Sequence, residues 1–345
     1  AGIEVKLNTE LGRDFTVDSL MEDGFRAIVL AIGAHRCRTL GIEGEGKEGV
    51  YPGVDFLRDV ALGNPPDLTG QRVGVVGGGD VAIDAVRTAW RLGASEVNLI
   101  YRRQREQMPA HEDEIEAADE EGICFHTLTN PIKILGNGRV TGVECLRYEL
   151  GAFDQSGRRR PIPLEGSEFV VDLDVLIPAI GQEPDLACLD ADMDACTACG
   201  MDIERNATMV VNRALATTRK GVFAAGDLVL GPSTVIEAVG QGNEVARSVD
   251  CYLRTGSLEK KVILPGYEVV EQLFDLEDYA QARRPEMTAL SVEERRNSFA
   301  EVERSMPEGI VREECKRCLR CDLEWLETQG LALEPQPDRP ATFGK

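Results

Sequence analysis

Histidine, positive charge and long apolar runs are all scarce in this 345-residue sequence. Its three histidines, His35, His111 and His126, stand apart, and no Ser/His/Asp or histidine-rich cluster is legible, which leaves hydrolytic chemistry without its residues. The 38 basic side chains face 60 acidic ones, and a formal charge of −22 excludes a general affinity for nucleic acid or an anionic membrane. No apolar run reaches the ~18 residues of a bilayer span. The opening AGIEVKLNTELGRD lacks the basic-then-apolar pattern of an export signal. These absences predict a soluble, cytoplasmic protein with no membrane or nucleic-acid partner. Ten cysteines are scattered except in two clusters, Cys196/Cys199 and Cys315/Cys318/Cys321, which in an unexported chain point to metal or redox roles before structural disulfides.

The chain is long enough to bury two cores, so two or more domains are expected. FRAIVLAIGA, residues 25–34, reads as a buried strand running into a tight turn at Gly33. Pro65-Pro66 marks a crossing between domains. From Arg72 to Asp172 the pattern runs strand, helix, strand, then the charged helix AHEDEIEAADEEG, whose carboxylates gather near the end that the helix dipole favours. CFHTLTN, IKILGNGRV and TGVECLRYEL follow, each of strand or hairpin length. VDLDVLIPAIGQEPD repeats the theme of an apolar strand ending in Ala-Ile-Gly, and GVFAAGD at 221–227 is a further such strand. STVIEAVGQGNEVARSVDCYLR after it is amphipathic, as a helix packed on a sheet should be. Beyond residue 257 the text is charged and irregular, with Pro265, Pro285, Pro307 and Pro335 spaced through it, predicting short helices and an extended tail.

Gly77-x-Gly79-x-x-Ala82 lies directly after the strand RVGVV and directly before the helix DVAIDAVRTAWRLG. In that context Gly77 permits a tight turn, Gly79 admits a pyrophosphate to the backbone, and Ala82 allows close helix-to-strand packing. The helix N-terminus offers unpaired N–H groups to phosphates. The second strand, EVNLIY, ends in Arg102-Arg103, about 25 residues after Gly77, where an acidic residue would bind the ribose 2′-hydroxyl of NAD and arginine instead accommodates the 2′-phosphate of NADP. The alternative is an exposed basic pair neutralised by Glu106. A second nucleotide signal is GVFAAGDLVLGPSTVIEAVGQG: Asp227 can accept from ribityl hydroxyls while N–H groups at the helix start near Ser233-Thr234 face a flavin, or Asp227 is an ordinary helix cap.

Taken in order, VVGGGDVAIDAVRTAWRLGA, YRRQREQMPA, GRVTGVECLRYELG, AIGQEPD and GVFAAGDLVLGPSTVIEA resemble the small subunit of NADPH-dependent glutamate synthase and related flavoproteins, over about residues 2–255. The resemblance implies an α/β fold of two Rossmann-like, three-layer domains, the NADPH domain inserted in the FAD domain, with an irregular C-terminal tail. It places part of the FAD domain at 1–66, the NADP(H) domain at 67–173, the return of the FAD domain at 174–256, and the tail with its cysteines at 257–345. It implies that Gly77, Gly79, Asp80, Val81, Arg102 and Arg103 bind NADPH, and that Gly33, Gly181, Gly226, Asp227, Thr234 and Val235 surround FAD. Family members carry an iron-sulfur segment and a first FAD glycine turn ahead of the point where this sequence starts. A longer polypeptide, or a partner subunit in a hetero-oligomer, is therefore expected to supply that half.

Cys315-x-x-Cys318-x-x-Cys321 has the close spacing of a [4Fe–4S] site with its fourth ligand from elsewhere; zinc and no metal are the alternatives. Cys196-x-x-Cys199 reads as a surface or partner-facing loop, or as a thiol-disulfide pair. The activity implied is electron transfer from NADPH through FAD to iron-sulfur centres or a partner subunit. The competing readings are a non-catalytic interaction subunit and a thiol-disulfide reductase.

Overall fold

The computed structural model describes residues 2–153, 157–192, 196–258, 283–296 and 298–317. They belong to two units, residues 1–260 and 261–345. In the first, a four-stranded parallel sheet runs in the order Val175–Pro178, Arg72–Val76, Glu96–Ile100, Cys124–His126. Its strands are nearly all apolar because helices cover a parallel sheet and leave no polar face. Helix Asp80–Arg91 connects the strands Arg72–Val76 and Glu96–Ile100, burying Ala82, Ile83, Ala85, Val86, Ala89 and Trp90 at helical spacing. Helix Glu112–Glu120 connects the next pair and buries Ile115 and Ala118, so most of its acidic residues face solvent as its composition requires, while half-buried Glu114 pairs with Arg87.

After Cys124–His126 the chain leaves the sheet for an antiparallel lobe. Thr129–Leu135 pairs with Gly142–Phe153, which pairs in turn with Arg159–Pro163 and Phe169–Val171. Ile134, Val143, Cys145 and Val171 pack there with Val76, Ile100 and Leu176 of the parallel sheet. Burial pushes the Cys145 thiol up to about 12, which makes it an inert packing group. The strand Val175–Pro178 then returns alongside Arg72–Val76, with Ile177 opposite Val75. This corrects the expected boundary at 173/174: four residues placed with the FAD domain complete the nucleotide sheet, because all four are buried and need cover on both faces.

A separate parallel pair, Ile28–Leu30 with Val222–Ala224, brackets that whole region in sequence, so the nucleotide domain is an insertion between the two halves of another. Val17, Leu186, Leu189, Met201, Ile203 and Leu228 form the core around these two strands. Helix Val235–Thr255 follows the strand Val222–Ala224. Short antiparallel strands Arg36–Cys37 and Gln182–Glu183 make the two crossings side by side, and Arg36 Nε donates to Glu183 Oε1 at 2.9 Å. The fold is thus the expected α/β class with two Rossmann-like lobes. In the second unit, Val292–Arg295 is capped by Ser291 and Glu294, and Glu308–Cys315 forms a further short helix. No helix among the described residues is long and apolar enough to cross a membrane.

Two polar clusters fix the helices and strands of the nucleotide sheet. Glu121, with a fully buried side chain, receives Arg87 Nη2 and Arg91 Nη2, each at 3.0 Å, and so ties the end of helix Glu112–Glu120 to helix Asp80–Arg91. Glu121→Ala leaves Arg91 in the interior without its carboxylate and Arg87 with Glu114 alone, and should destabilise the chain by about 3 kcal/mol, read from urea denaturation. His126 hydrogen-bonds through Nε2 to Oδ1 of buried Asn98 at 2.7 Å, with the ring N–H donating. Burial holds its pKa below the ordinary 6.5, so the unfolded chain binds the proton more readily. Stability from this site is full above pH 6.5 and is lost as pH falls through that value toward the lower folded pKa. Urea melts at a series of pH values should show that loss in the parent chain and not in His126→Gln.

Candidate dinucleotide sites

The first site is the junction of the strand Arg72–Val76 with the helix Asp80–Arg91. Gly77 has φ +150, and a Cβ there would lie 2.2 Å from the carbonyl oxygen of Ala179 and 3.1 Å from Cβ of Ala82. Both neighbours explain the residue types: only glycine fits at 77, and only a small side chain fits at 82. Tyr101 covers Gly78, where a Cβ would come 2.5 Å from the ring, and the Tyr101 hydroxyl is anchored by donating to Gln107 O at 2.8 Å. Gly79 is the N-cap of the helix and supplies no side-chain cap. Ala82 N donates to Gly79 O at 2.9 Å, so the N–H groups of Asp80 and Val81 are those a pyrophosphate would meet.

Asp80, exposed at the first helical position, accepts from His111 N at 3.2 Å, while Ala110 N donates to Gly78 O at 3.2 Å. These bonds hold the Met108–His111 segment over the glycine turn. Val81 packs at the same corner, its Cγ1 3.3 Å from where a Cβ on Gly53 would sit. Arg102 is exposed and has no side-chain partner among the described residues. Arg103 differs: it is only 6 % exposed, and its Nε donates to the Arg159 carbonyl at 3.0 Å. Glu106 is exposed and pairs with neither arginine, so Arg102 is left with an open guanidinium.

The second site is a cavity of about 320 Å³ whose lining includes Gly33, Gly226, Asp227, Thr234 and Val235. Gly33 and Gly226 have φ of +71 and +72, backbone turns that favour glycine. Gly226 N donates to Gln241 Oε1 at 2.7 Å, a contact from the following helix that the sequence motif does not reveal. Thr234 caps that helix: its Oγ1 accepts from Glu237 N at 3.2 Å, and the Glu237 carboxylate accepts from Thr234 N at 3.3 Å. The Ser233 hydroxyl first, then Thr234, hold the Glu237 carboxyl below the usual range. With those N–H groups taken, the N–H group of Val235, which lines the cavity, is the one placed to meet an acceptor there. Gly181 is outside the lining; it turns the chain into the strand Gln182–Glu183, and its carbonyl accepts from Arg38 N at 3.0 Å. The cavity is at the small end of the roughly 300–1,000 Å³ typical of ligand pockets. It suits one end of a flavin dinucleotide.

The cysteine clusters divide. Cys315 is exposed at the end of the helix Glu308–Cys315, whereas Cys318 and Cys321 lie outside the described residues. Among the described residues no three metal-ligating side chains converge. Cys196 and Cys199 flank the strand Thr197–Ala198 with φ of +53 and +47 and pack against the core of the second lobe. Burial raises the pKa of Cys199, the wrong direction for a nucleophilic thiolate.

The described geometry therefore holds a tight glycine turn at a helix N-terminus and, in the other lobe, a separate cavity lined by Gly33, Gly226 and Thr234. Among proteins of known function, the chain is 42% identical over 330 residues to the NADP(+)-dependent formate dehydrogenase subunit beta of Moorella thermoacetica, covering 93% of this chain and 45% of that one. It is 36% identical over 264 residues to the NADPH glutamate synthase small chain of Escherichia coli, covering 72% of this chain and 54% of that one. The chain thus spans about half the length of the curated relatives it matches. Mycobacterium tuberculosis FprA, solved in complex with NADPH, shares the fold at a TM-score of 0.58 and 20% identity, covering 72% of this chain and 68% of FprA. Residues 4–242 match the pyridine nucleotide-disulphide oxidoreductase family, to which this chain belongs.

Proposed function

We propose that this chain is the NADPH-binding and flavin-facing part of a larger cytoplasmic electron-transfer oxidoreductase. The observation that carries the reading is the segment Ala179–Gly181: its first carbonyl packs on Gly77 at the pyrophosphate turn, and its last residue feeds the strand that crosses to the flavin-side lobe. This peptide, together with the other crossing at Arg36–Cys37, would link the two dinucleotide sites. With both cofactors bound, NADPH supplies two electrons to the flavin, which can release them singly to iron-sulfur centres or another acceptor. The protein's own task is to bind and orient. Gly77, Gly79 and the first turn of Asp80–Arg91 take the pyrophosphate, Arg102 takes the 2′-phosphate, and buried Arg103 positions it. Gly33, Gly226, Asp227, Thr234 and Val235 surround the flavin, Asp227 accepting from hydroxyls and the Val235 N–H donating to the ring. Gly181 shapes the crossing beside it.

Cys315, Cys318 and Cys321 would hold a [4Fe–4S] cluster with one further ligand from elsewhere, or zinc. A partner subunit, or an N-terminal half, would carry further iron-sulfur centres and the other end of the FAD site, making a hetero-oligomer. The formate dehydrogenase relative is a beta subunit, which supports a partner subunit here. The second reading, a non-catalytic interaction subunit, is favoured by the open apolar face of Val235, Ile236 and Val239, exposed at 79%, 83% and 59% beside the flavin cavity.

Anaerobic titration of the intact native assembly separates the readings. Bleaching of flavin absorbance by stoichiometric NADPH, and not by NADH, is expected; an assembly that lacks flavin, or stays yellow, overturns the electron-transfer reading. Gly77→Ala sets a methyl against the Ala179 carbonyl and should raise the NADPH dissociation constant about tenfold or more, with flavin content unchanged.

A further inference from the structure

We infer that the Asp80 carboxylate is a latch and not a cofactor ligand: it holds the segment Met108–His111 against the glycine turn, where that segment walls the pyrophosphate site. The inference rests on the NADPH reading and gives Asp80 a positioning role in it. A short acidic side chain at the start of a helix commonly accepts from that helix's own N–H groups. Asp80 is the first residue of Asp80–Arg91, yet no N–H of its own helix reaches its carboxylate among the described residues, and its Oδ1 accepts from His111 N at 3.2 Å instead. A negative charge there also stands against the like charge of a pyrophosphate met by the N–H groups of Asp80 and Val81. Its presence lowers affinity unless the bond to His111 returns more than the charge takes away.

The segment lies directly on the turn. Tyr101, whose ring covers Gly78, holds its entry by donating from the hydroxyl to Gln107 O at 2.8 Å. In its middle, Ala110 N donates to Gly78 O at 3.2 Å, and Pro109 Cγ lies 3.8 Å from where a Cβ on Gly79 would sit. Met108 and Ala110 are buried. Gly79 is the residue at which a pyrophosphate approaches the backbone, so Pro109 stands beside that approach. Asp80 holds the exit, at His111, which is the N-cap of helix Glu112–Glu120. Because the other bonds to the turn run between main-chain atoms, the Asp80 carboxylate is the part of this latch that a substitution removes cleanly. A segment released at His111 has to be ordered when the cofactor binds, and that ordering weakens binding.

The test measures the NADPH dissociation constant of the native assembly and, without ligand, hydrogen exchange of the Met108–His111 amides. Asp80→Asn keeps an acceptor and drops the charge; it should hold parental exchange and bind NADPH about threefold more tightly. Asp80→Ala should speed exchange at Ala110 and His111 and bind NADPH about tenfold more weakly than Asp80→Asn, although both are uncharged. His111→Pro removes the donor at a residue whose φ of −61 already suits proline. In that background Asp80→Asn and Asp80→Ala should bind NADPH equally. Equal affinity of the two Asp80 variants in the parent background overturns the inference and leaves the NADPH reading standing. A difference between them that persists with His111→Pro also overturns it, because Asp80 would then act on the cofactor or the fold without His111. A parent assembly that binds no NADPH removes the NADPH reading itself, and exchange then decides the latch alone: parental exchange in Asp80→Ala overturns it.

Discussion

The contact between the Ala179 carbonyl and the α-carbon face of Gly77 is the constraint on which the rest of the molecule turns. It exists because the strand Val175–Pro178 is in parallel register with Arg72–Val76, so that the chain leaving one strand passes over the turn leaving the other. A side chain at 77 would force those strands apart. The close approach is made just before the helix Asp80–Arg91, and it sends the same peptide on through Gly181 toward the second lobe. Sheet register, the tight turn before the helix and the crossing to the second lobe thus share one physical cause.

Electrostatics adds selection to that geometry. In a strongly acidic chain a positive site must be insulated from its own carboxylates to attract an anion, and the arrangement around the end of the strand Glu96–Ile100 does this. Arg87 and Arg91 are committed to buried Glu121, Arg105 to Asp119, and Arg103 and Arg159 to main-chain carbonyls. Arg102 remains exposed and uncommitted among them. Its availability depends on neighbours that are occupied elsewhere.

Much of this was legible in the sequence because the informative signals are local. The order strand, Gly77-x-Gly79-x-x-Ala82, helix, Arg102-Arg103 encodes a continuous piece of backbone, and the structure builds that piece. The capping pair Thr234 and Glu237 and the glycine turns at 33 and 226 are local in the same sense. What the sequence does not show is contact between distant segments. Ala179 over Gly77, Gln241 on Gly226 and Arg159 on Arg103 each join residues that no short motif spans. Arg102 and Arg103 look equivalent as text, yet only tertiary burial separates an open guanidinium from a structural one. Gly181 belongs to a repeated Ala-Ile-Gly pattern, but its neighbours place it at a crossing rather than in the cavity lining. The strand 175–178 reads equally well for either domain, because an apolar run carries no label for the sheet it joins.

The central claim is that the turn at Gly77 and the arginine-bearing end of the next strand form one NADP(H) site. Hydrogen exchange of the intact native assembly, with and without saturating NADP+, tests it most directly. The structure predicts slowed exchange of the amides at 77–83 and 101–104, with little change in the antiparallel strand Phe169–Val171. Unaltered exchange at both segments under saturating ligand, or protection confined to other regions, would contradict it.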